Sequence, residues 1–134
     1  MEFQCDTTSR TPIYKQLIVQ VRQGIARGKL LPGDRLPSVR QLSQQLVVNP
    51  NTVARAYTEL EREGLLHTRQ GVGVFVAELQ ADLNESVRQE RLQTALECFL
   101  TESVHLGFSA DQVLQAVAEQ IQNFHFVGAP SDAN

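Results

Sequence analysis

Four polar side chains recur on one side of the segment that follows Pro50, and their types could read the bases of duplex DNA. Asn51, Arg55, Thr58 and Arg62 fall together when residues are placed at 100° per residue, as on an α-helix. An asparagine amide can form two hydrogen bonds with adenine, and a guanidinium can do so with guanine. No acidic residue lies on this side, so the pattern favours contact with an anionic groove.

The opposite side of this segment is apolar, with Val53, Ala56, Tyr57 and Leu60 in register to face a core. Taken alone, the polar side would be an ordinary solvated helix face, which is the usual position of Asn and Arg. The elements predicted around it favour the nucleic-acid interpretation.

Two helices are predicted before this segment from their boundary residues. Pro12 opens the first helix and Gly28 ends it, with apolar side chains every four residues between them. Ser38 begins the second helix and has Gln41 three positions further on, which is the spacing of a capping box. This helix is predicted to run to about Leu46.

The polar segment itself is predicted to be a third helix, capped by Asn49 and ending at Gly64, with Val48 and Val53 spaced as a hydrophobic staple. Residues 65–69 and 74–76 are predicted to be two strands around a glycine-bearing turn. Three helices and a β-hairpin make a mainly α fold with a winged helix-turn-helix over residues 10–77. We therefore expect a DNA-binding domain at residues 1–78.

Further DNA contacts are predicted beside the third helix. Arg35 and Arg40 flank the start of the second helix at Ser38, where a phosphate could meet guanidinium and backbone N–H groups. At the hairpin turn, Gly71 and Gly73 either let the backbone approach a groove closely or serve only the turn.

Residues 79–127 are predicted to form a helical dimerisation region. Apolar stripes predict two amphipathic helices in this region. A hairpin of two helices is too thin to bury both stripes by itself. A second copy of the chain is therefore expected to cover them, and a homodimer is predicted. The residues predicted at this interface are Leu92, Leu96, Phe99, Leu106, Val113, Val117 and Ile121. Residues 128–134 are predicted to be a disordered tail.

The distribution of charge agrees with a DNA-binding first part and a helical second part of the chain. Residues 1–78 carry ten basic and seven acidic side chains, whereas residues 79–134 carry two and eight, so the first part is the one suited to an anionic partner. Cys5 and Cys98 match no disulfide framework, which favours the reducing cytoplasm, and no membrane or secretory segment is evident. No catalytic motif stands out, so neither an enzyme nor a cofactor is expected.

Several spaced motifs within residues 10–77 resemble the DNA-binding domain of GntR-family bacterial transcription regulators, and the short helical tail is similar to that of the YtrA-type branch. The motifs are residues 36–42, 48–57, 63–66 and 70–76. The resemblance implies a homodimeric repressor without a cofactor, and DNA contacts from Arg40, Asn49, Pro50, Asn51, Thr52, Gln70 and Gly71. Ala54 stands where many members have arginine, which leaves the target of Arg55 open, and Val72 stands where many wings have a basic residue.

Three questions stay open from the sequence. A winged helix can also serve as a protein-protein interaction module. Cys98, Glu102 and His105 share one helical face, which is the geometry of a metal site and of a metal-responsive regulator. An unknown small-molecule effector is compatible with the resemblance, although no residue cluster singles out a pocket.

Overall fold

The computed structural model describes residues 1–78 and 84–126, and these residues form five helices and three short strands. The helices are α1 (Ile13–Ala26), α2 (Val39–Leu46), α3 (Pro50–Arg62), α4 (Glu85–His105) and α5 (Ala110–Ile121), and the strands are β1 (Arg35–Leu36), β2 (Leu66–Arg69) and β3 (Gly73–Val76). The predicted mainly α winged helix-turn-helix with a two-helix tail is confirmed. The predicted disordered tail, residues 128–134, lies outside the described residues.

The described residues divide into two compact units. The first contains residues 1–78 together with His125 and Phe126, and the second contains residues 84–124.

The core of the first unit lies where α1 and α2 pack against α3. Leu17, Leu42 and Leu60 are completely buried, and each contributes about 2 kcal/mol relative to a solvent-exposed position. The apolar side of α3 predicted from the sequence is confirmed, since Val53 and Ala56 are also completely buried. This packing fixes which side of α3 faces outward.

The three strands form an antiparallel sheet in the order β1-β3-β2. Leu66 pairs with Val76 and Arg69 with Gly73, so the predicted hairpin is present, with strand ends shifted by one residue from those expected. The strand β1 was not predicted, because two residues are too short to show a period and they are extended only through pairing with β3. Arg35, which was expected only to precede the second helix, is therefore part of this sheet.

Side-chain caps delimit α2 and α3 as the sequence predicts. The Ser38 hydroxyl accepts a hydrogen bond from the Gln41 N–H at 3.0 Å, and the Gln41 side chain accepts one from the Ser38 N–H at 2.9 Å. Asn49 caps α3 through a 2.8 Å bond from the Asn51 N–H to its Oδ1, and Pro50 is the first helical residue. These caps satisfy N–H groups that have no partner within a helix.

The segment before α1 is attached to that helix by two glutamine side chains. The Gln16 amide accepts from the Asp6 N–H at 2.9 Å and donates to the Asp6 carbonyl, also at 2.9 Å. Gln20 makes the equivalent pair of bonds with the backbone of Gln4. This amino-terminal arm, residues 1–11, was not predicted, because hydrogen bonds from glutamine side chains to the backbone of another segment leave no periodic pattern in the sequence.

The second unit consists of α4 and α5, and almost nothing in it is buried. Ser103 is its one buried described residue, while Leu92 is 64% exposed and Phe99 is 44% exposed. Ser109 caps α5 with Gln112 in a second capping box. Leu106, expected on the stripe of the long helix, lies just beyond it as the residue that caps its carboxyl end.

Candidate nucleic-acid interface

The turn between α2 and α3 places the two helices as a helix-turn-helix, with the amino terminus of α3 at the surface. Asn49, Pro50 and Asn51 are all exposed there, and Thr52 is half-buried. The Oδ1 atom of Asn49 is occupied by the cap, so the groups that Asn49 can offer to a ligand are its amide N–H donors.

The outward side of α3 has the composition predicted from the sequence. Asn51, Arg55, Thr58 and Arg62 are all exposed, while the other side of the helix is buried in the core. Tyr57, on the buried side, is 6% exposed and donates its hydroxyl to the Pro37 carbonyl at 2.7 Å. This bond ties α3 to the residue directly before the cap of α2, and thereby fixes the two helices of the motif relative to each other.

Charge is distributed unevenly along the outward side of α3. Arg62 is neutralised by Glu59, with 2.6 Å between nitrogen and oxygen, and the neighbouring Glu63 is paired with Arg22 of α1 at 3.3 Å. Within the described residues, Arg55 pairs with no carboxylate. The amino-terminal half of this side therefore presents uncompensated positive charge beside the partial positive charge of the helix terminus, which is the end that suits an anion.

The start of α2 offers fewer donors than the sequence suggested. The capping box uses the backbone N–H groups of Ser38 and Gln41, so these two do not meet a ligand. The cap leaves the N–H groups of Val39 and Arg40 in the first turn, and Arg40 itself is exposed. A phosphate at this position would be held by the Arg40 guanidinium and these two N–H groups.

The pairing of β1 with β3 brings together two predicted contact residues that are distant in sequence, Arg35 and Gly73. A Cβ atom on Gly73 would lie 2.8 Å from Nε of Arg35, so the missing side chain of Gly73 makes room for the Arg35 guanidinium. Gly73 has a φ of +152° beside this contact, and its close approach to a groove stays a prediction. Gly71 has a φ of +79° with open space around it, and it lies with Gln70 at the exposed tip of the hairpin.

Two arginine side chains of this surface, Arg55 and Arg69, lie against aromatic rings. The sequence did not indicate a role for either ring, Tyr14 or Phe75. The Cζ atom of Arg55 lies 3.8 Å from the centre of the Tyr14 ring, and that of Arg69 lies 5.8 Å from the Phe75 ring. The His67 ring stacks on Phe75 with 5.8 Å between ring centres. Which ring meets which cation depends on how α1 crosses α3 and on strand register, so no local pattern signals it.

The other chemistries considered for the chain find no support in the described residues. Cys98 is exposed, and no group of three or more His, Cys, Asp or Glu side chains in residues 1–78 and 84–126 could hold a metal ion, so Cys98, Glu102 and His105 do not form the metal site considered from the sequence. Among these residues, no helix is both long and apolar enough to cross a membrane.

Comparison with known proteins identifies the first unit. Residues 13–76 match the family model described as bacterial regulatory proteins, gntR family. The chain is 39% identical over 109 residues to the uncharacterized HTH-type transcriptional regulator YhcF of Bacillus subtilis, covering 81% of this chain and 89% of that protein. It is 34% identical over 116 residues to the HTH-type transcriptional repressor YtrA of the same organism, covering 87% and 89%.

The likeness extends to the tertiary structure. The crystal structure of a transcriptional antiterminator from Listeria monocytogenes superposes with a TM-score of 0.73 at 29% identity, over 96% of this chain and 98% of that one.

Proposed function

The chain belongs to the GntR family of bacterial regulatory proteins and is a DNA-binding transcription regulator, and from this premise we propose that it is a homodimeric repressor of an inverted-repeat operator. The observation that carries the proposal is the exposed, uncompensated amino-terminal half of α3, where Asn51 and Arg55 lie one turn apart. In a major groove these groups face base edges and the flanking phosphates.

We propose different roles for the residues that contact bases and for those that contact the sugar-phosphate backbone of DNA. Asn51 is the base-reading group, since its amide is exposed beyond the cap made by Asn49. Arg40 and the N–H groups of the first turn of α2 are phosphate contacts, which fix the protein on the duplex without reading it. Gln70 and Gly71 at the hairpin tip are the contacts of the wing.

The proposed dimer rests on the second unit. Leu96 is 43% exposed, Phe99 44% and Ile121 47%, with nothing in the described part of the chain to cover them. Large apolar side chains exposed on both helices of this unit favour an interface. A second copy of the chain supplies a matching surface through two-fold symmetry, and the resulting dimer would present two copies of α3 to two inverted half-sites.

Repression is proposed from the relationship to YtrA, which is named a repressor. The proposal includes no effector. An open depression of about 590 Å³ lies between the amino-terminal arm and α1, but its lining carries both Glu2 and Asp6 and both Arg27 and Lys29, so it favours no class of ligand.

The test uses a duplex that the wild-type protein selects from a randomised pool, with a scrambled duplex of equal length for comparison. Asn51→Ala should weaken binding to the selected duplex by about 5- to 100-fold and leave the scrambled one unchanged. Arg40→Ala should weaken both alike and reduce the slope of log affinity against log salt by about 0.9. Arg88→Ala removes the same charge from α4, where Arg88 is paired with Glu85, and is the control.

Retention of wild-type affinity by both variants would refute the interface. Failure of the wild-type protein to select any duplex, with a shallow salt dependence, would favour the protein-protein interaction module instead. Repression itself is measured by in-vitro transcription from a promoter that contains the selected duplex, where the transcript should decrease as protein is added.

A further inference from the structure

We propose that Tyr14 is a positioning residue for DNA binding, which holds the Arg55 guanidinium as a phosphate clamp beside α3. The inference rests on the proposed function, and it assigns a role to the one arginine of α3 whose target the sequence left open. It begins with the 3.8 Å separation between Cζ of Arg55 and the centre of the Tyr14 ring.

The ring is a fixed support. Tyr14 lies in the first turn of α1, half-buried and packed against the core formed by residues such as Leu17 and Val53. Because the ring packs against this close-packed core, its range of movement is restricted. Arg55 belongs to α3, which packs against α1. The contact between Tyr14 and Arg55 therefore joins two helices that the core already holds together.

The stack orients the guanidinium without using its hydrogen-bonding groups. The face of an aromatic ring attracts the guanidinium group without forming hydrogen bonds to it. The five N–H donors of the guanidinium lie in its plane and stay available to a ligand. Arg55 is exposed and, within the described residues, forms no ion pair, in contrast to Arg62 seven residues further along α3. A mobile arginine loses side-chain entropy when it binds a ligand. Because the Tyr14 ring already orders Arg55 in the free protein, less of this entropy is lost on binding DNA.

The direction of the side chain selects the ligand. An arginine that lies back against the supporting helix α1 does not extend outward from α3 toward the floor of a groove, where base edges are. It lies at the side of the recognition helix, where the sugar-phosphate backbone runs past a helix in the major groove. A planar fork of donors also matches the oxygen atoms of a phosphate. Arg55 is therefore a sequence-independent contact, and Asn51 carries the reading of the bases.

The experiment is a double-mutant cycle on DNA binding by the full chain, measured by fluorescence anisotropy over a range of salt. The probes are the duplex selected by the wild-type protein and its scrambled form. Arg55→Ala should weaken binding to both duplexes by similar factors and reduce the salt slope by about 0.9. Tyr14→Leu should weaken both by about 2- to 5-fold. Tyr14→Leu should add nothing in the Arg55→Ala background, because no guanidinium is left to position.

Two further variants separate positioning from general damage. Tyr14→Phe retains the ring and should keep both the wild-type affinity and the coupling to Arg55, because the ring and not the hydroxyl group supports the guanidinium. Arg22→Ala removes a charge from α1 that is paired with Glu63, and it should leave the salt slope unchanged. If Tyr14→Leu does not fold, Tyr14→Phe and Arg55→Lys supply the comparison: the lysine keeps the charge, loses the planar stack, and should bind more weakly than wild type.

The outcomes distinguish this proposal from the one on which it rests. Additive effects of Tyr14→Leu and Arg55→Ala, with wild-type selection of DNA intact, overturn the positioning role alone. Loss of affinity confined to the selected duplex on Arg55→Ala, with the salt slope unchanged, would make Arg55 a base-reading residue and also overturn the clamp. If the wild-type protein selects no duplex, the proposed function and this inference both fall.

Discussion

Removing one hydroxyl group tests how the two helices of the helix-turn-helix are held together. Tyr57 of α3 is 6% exposed, and its hydroxyl donates to the Pro37 carbonyl at 2.7 Å, directly before the cap of α2. Tyr57→Phe keeps the buried ring and leaves the Pro37 oxygen without this donor. A hydrogen bond of this kind contributes about 1 kcal/mol, and an unsatisfied acceptor costs about 1–3 kcal/mol. Because Pro37 is only half-buried, we expect a loss near 1.5 kcal/mol, in the lower part of that range.

The assay is urea unfolding followed by circular dichroism at pH 7 and fixed protein concentration. Tyr14→Phe is the matched control, since it makes the same chemical change at a half-buried tyrosine whose hydroxyl forms no hydrogen bond within residues 1–78 and 84–126. The control should change the free energy of unfolding by less than about 0.5 kcal/mol.

Tyr57 also predicts that the protein becomes less stable to unfolding at alkaline pH. Burial raises the pKa of Tyr57 well above the value near 10 that a tyrosine has in an unfolded chain. Above about pH 10 the unfolded phenol loses its proton while the folded one keeps it. The folded state then binds more protons, and stability falls as the pH rises. One unit above the unfolded pKa this loss reaches about 1.4 kcal/mol, so wild type and Tyr57→Phe should have nearly equal stability at about pH 11. Equal stability at pH 7, or parallel curves up to pH 11, would refute this account of the contact.

Two further predictions concern the turn and the tail. Val47 has a φ of +55° and is 89% exposed, so Val47→Gly should relieve about 1–2 kcal/mol of left-handed strain without losing buried area. After the entropic cost of glycine, a net gain of about 0.5–1 kcal/mol should appear as a rise in Tm, and a fall would contradict the reasoning. Leu96→Asp with Phe99→Asp should yield monomers with weakened operator binding. In analytical ultracentrifugation, Thr94→Asp with Thr101→Asp, on the opposite side of α4, should remain dimeric, and a dimer in both variants would place the interface elsewhere.

The helix boundaries of the first unit were predictable because their signals are local. The Ser38 and Gln41 capping box, the Asn49 cap and the position of Pro50 each act within one turn, so the residues specify the start of α2 and α3 without the rest of the chain. The side of α3 that faces outward was also predictable, since the period of its apolar residues decides what can be buried.

The details of the candidate site were only partly predictable. Asn51 and Arg55 were correctly expected at the surface, but the partners of Arg55 and Arg35 were not. Gly73 was expected at the turn from its sequence position, but its proximity to the Arg35 side chain was not. Each of these contacts joins residues from different elements, and no spacing within one segment reveals them.

By itself, the sequence determined the winged helix-turn-helix, the polar outward side of α3 and the apolar stripes of the tail, because caps, turns and periodicity are properties of neighbouring residues. The tertiary structure alone decided that β1 exists, that glutamines of α1 hold the amino-terminal arm, and that the ring of Tyr14 supports Arg55. The physical reason is that helix crossing and strand register are set by how the whole core packs, and contacts between distant residues exist only once that packing has formed.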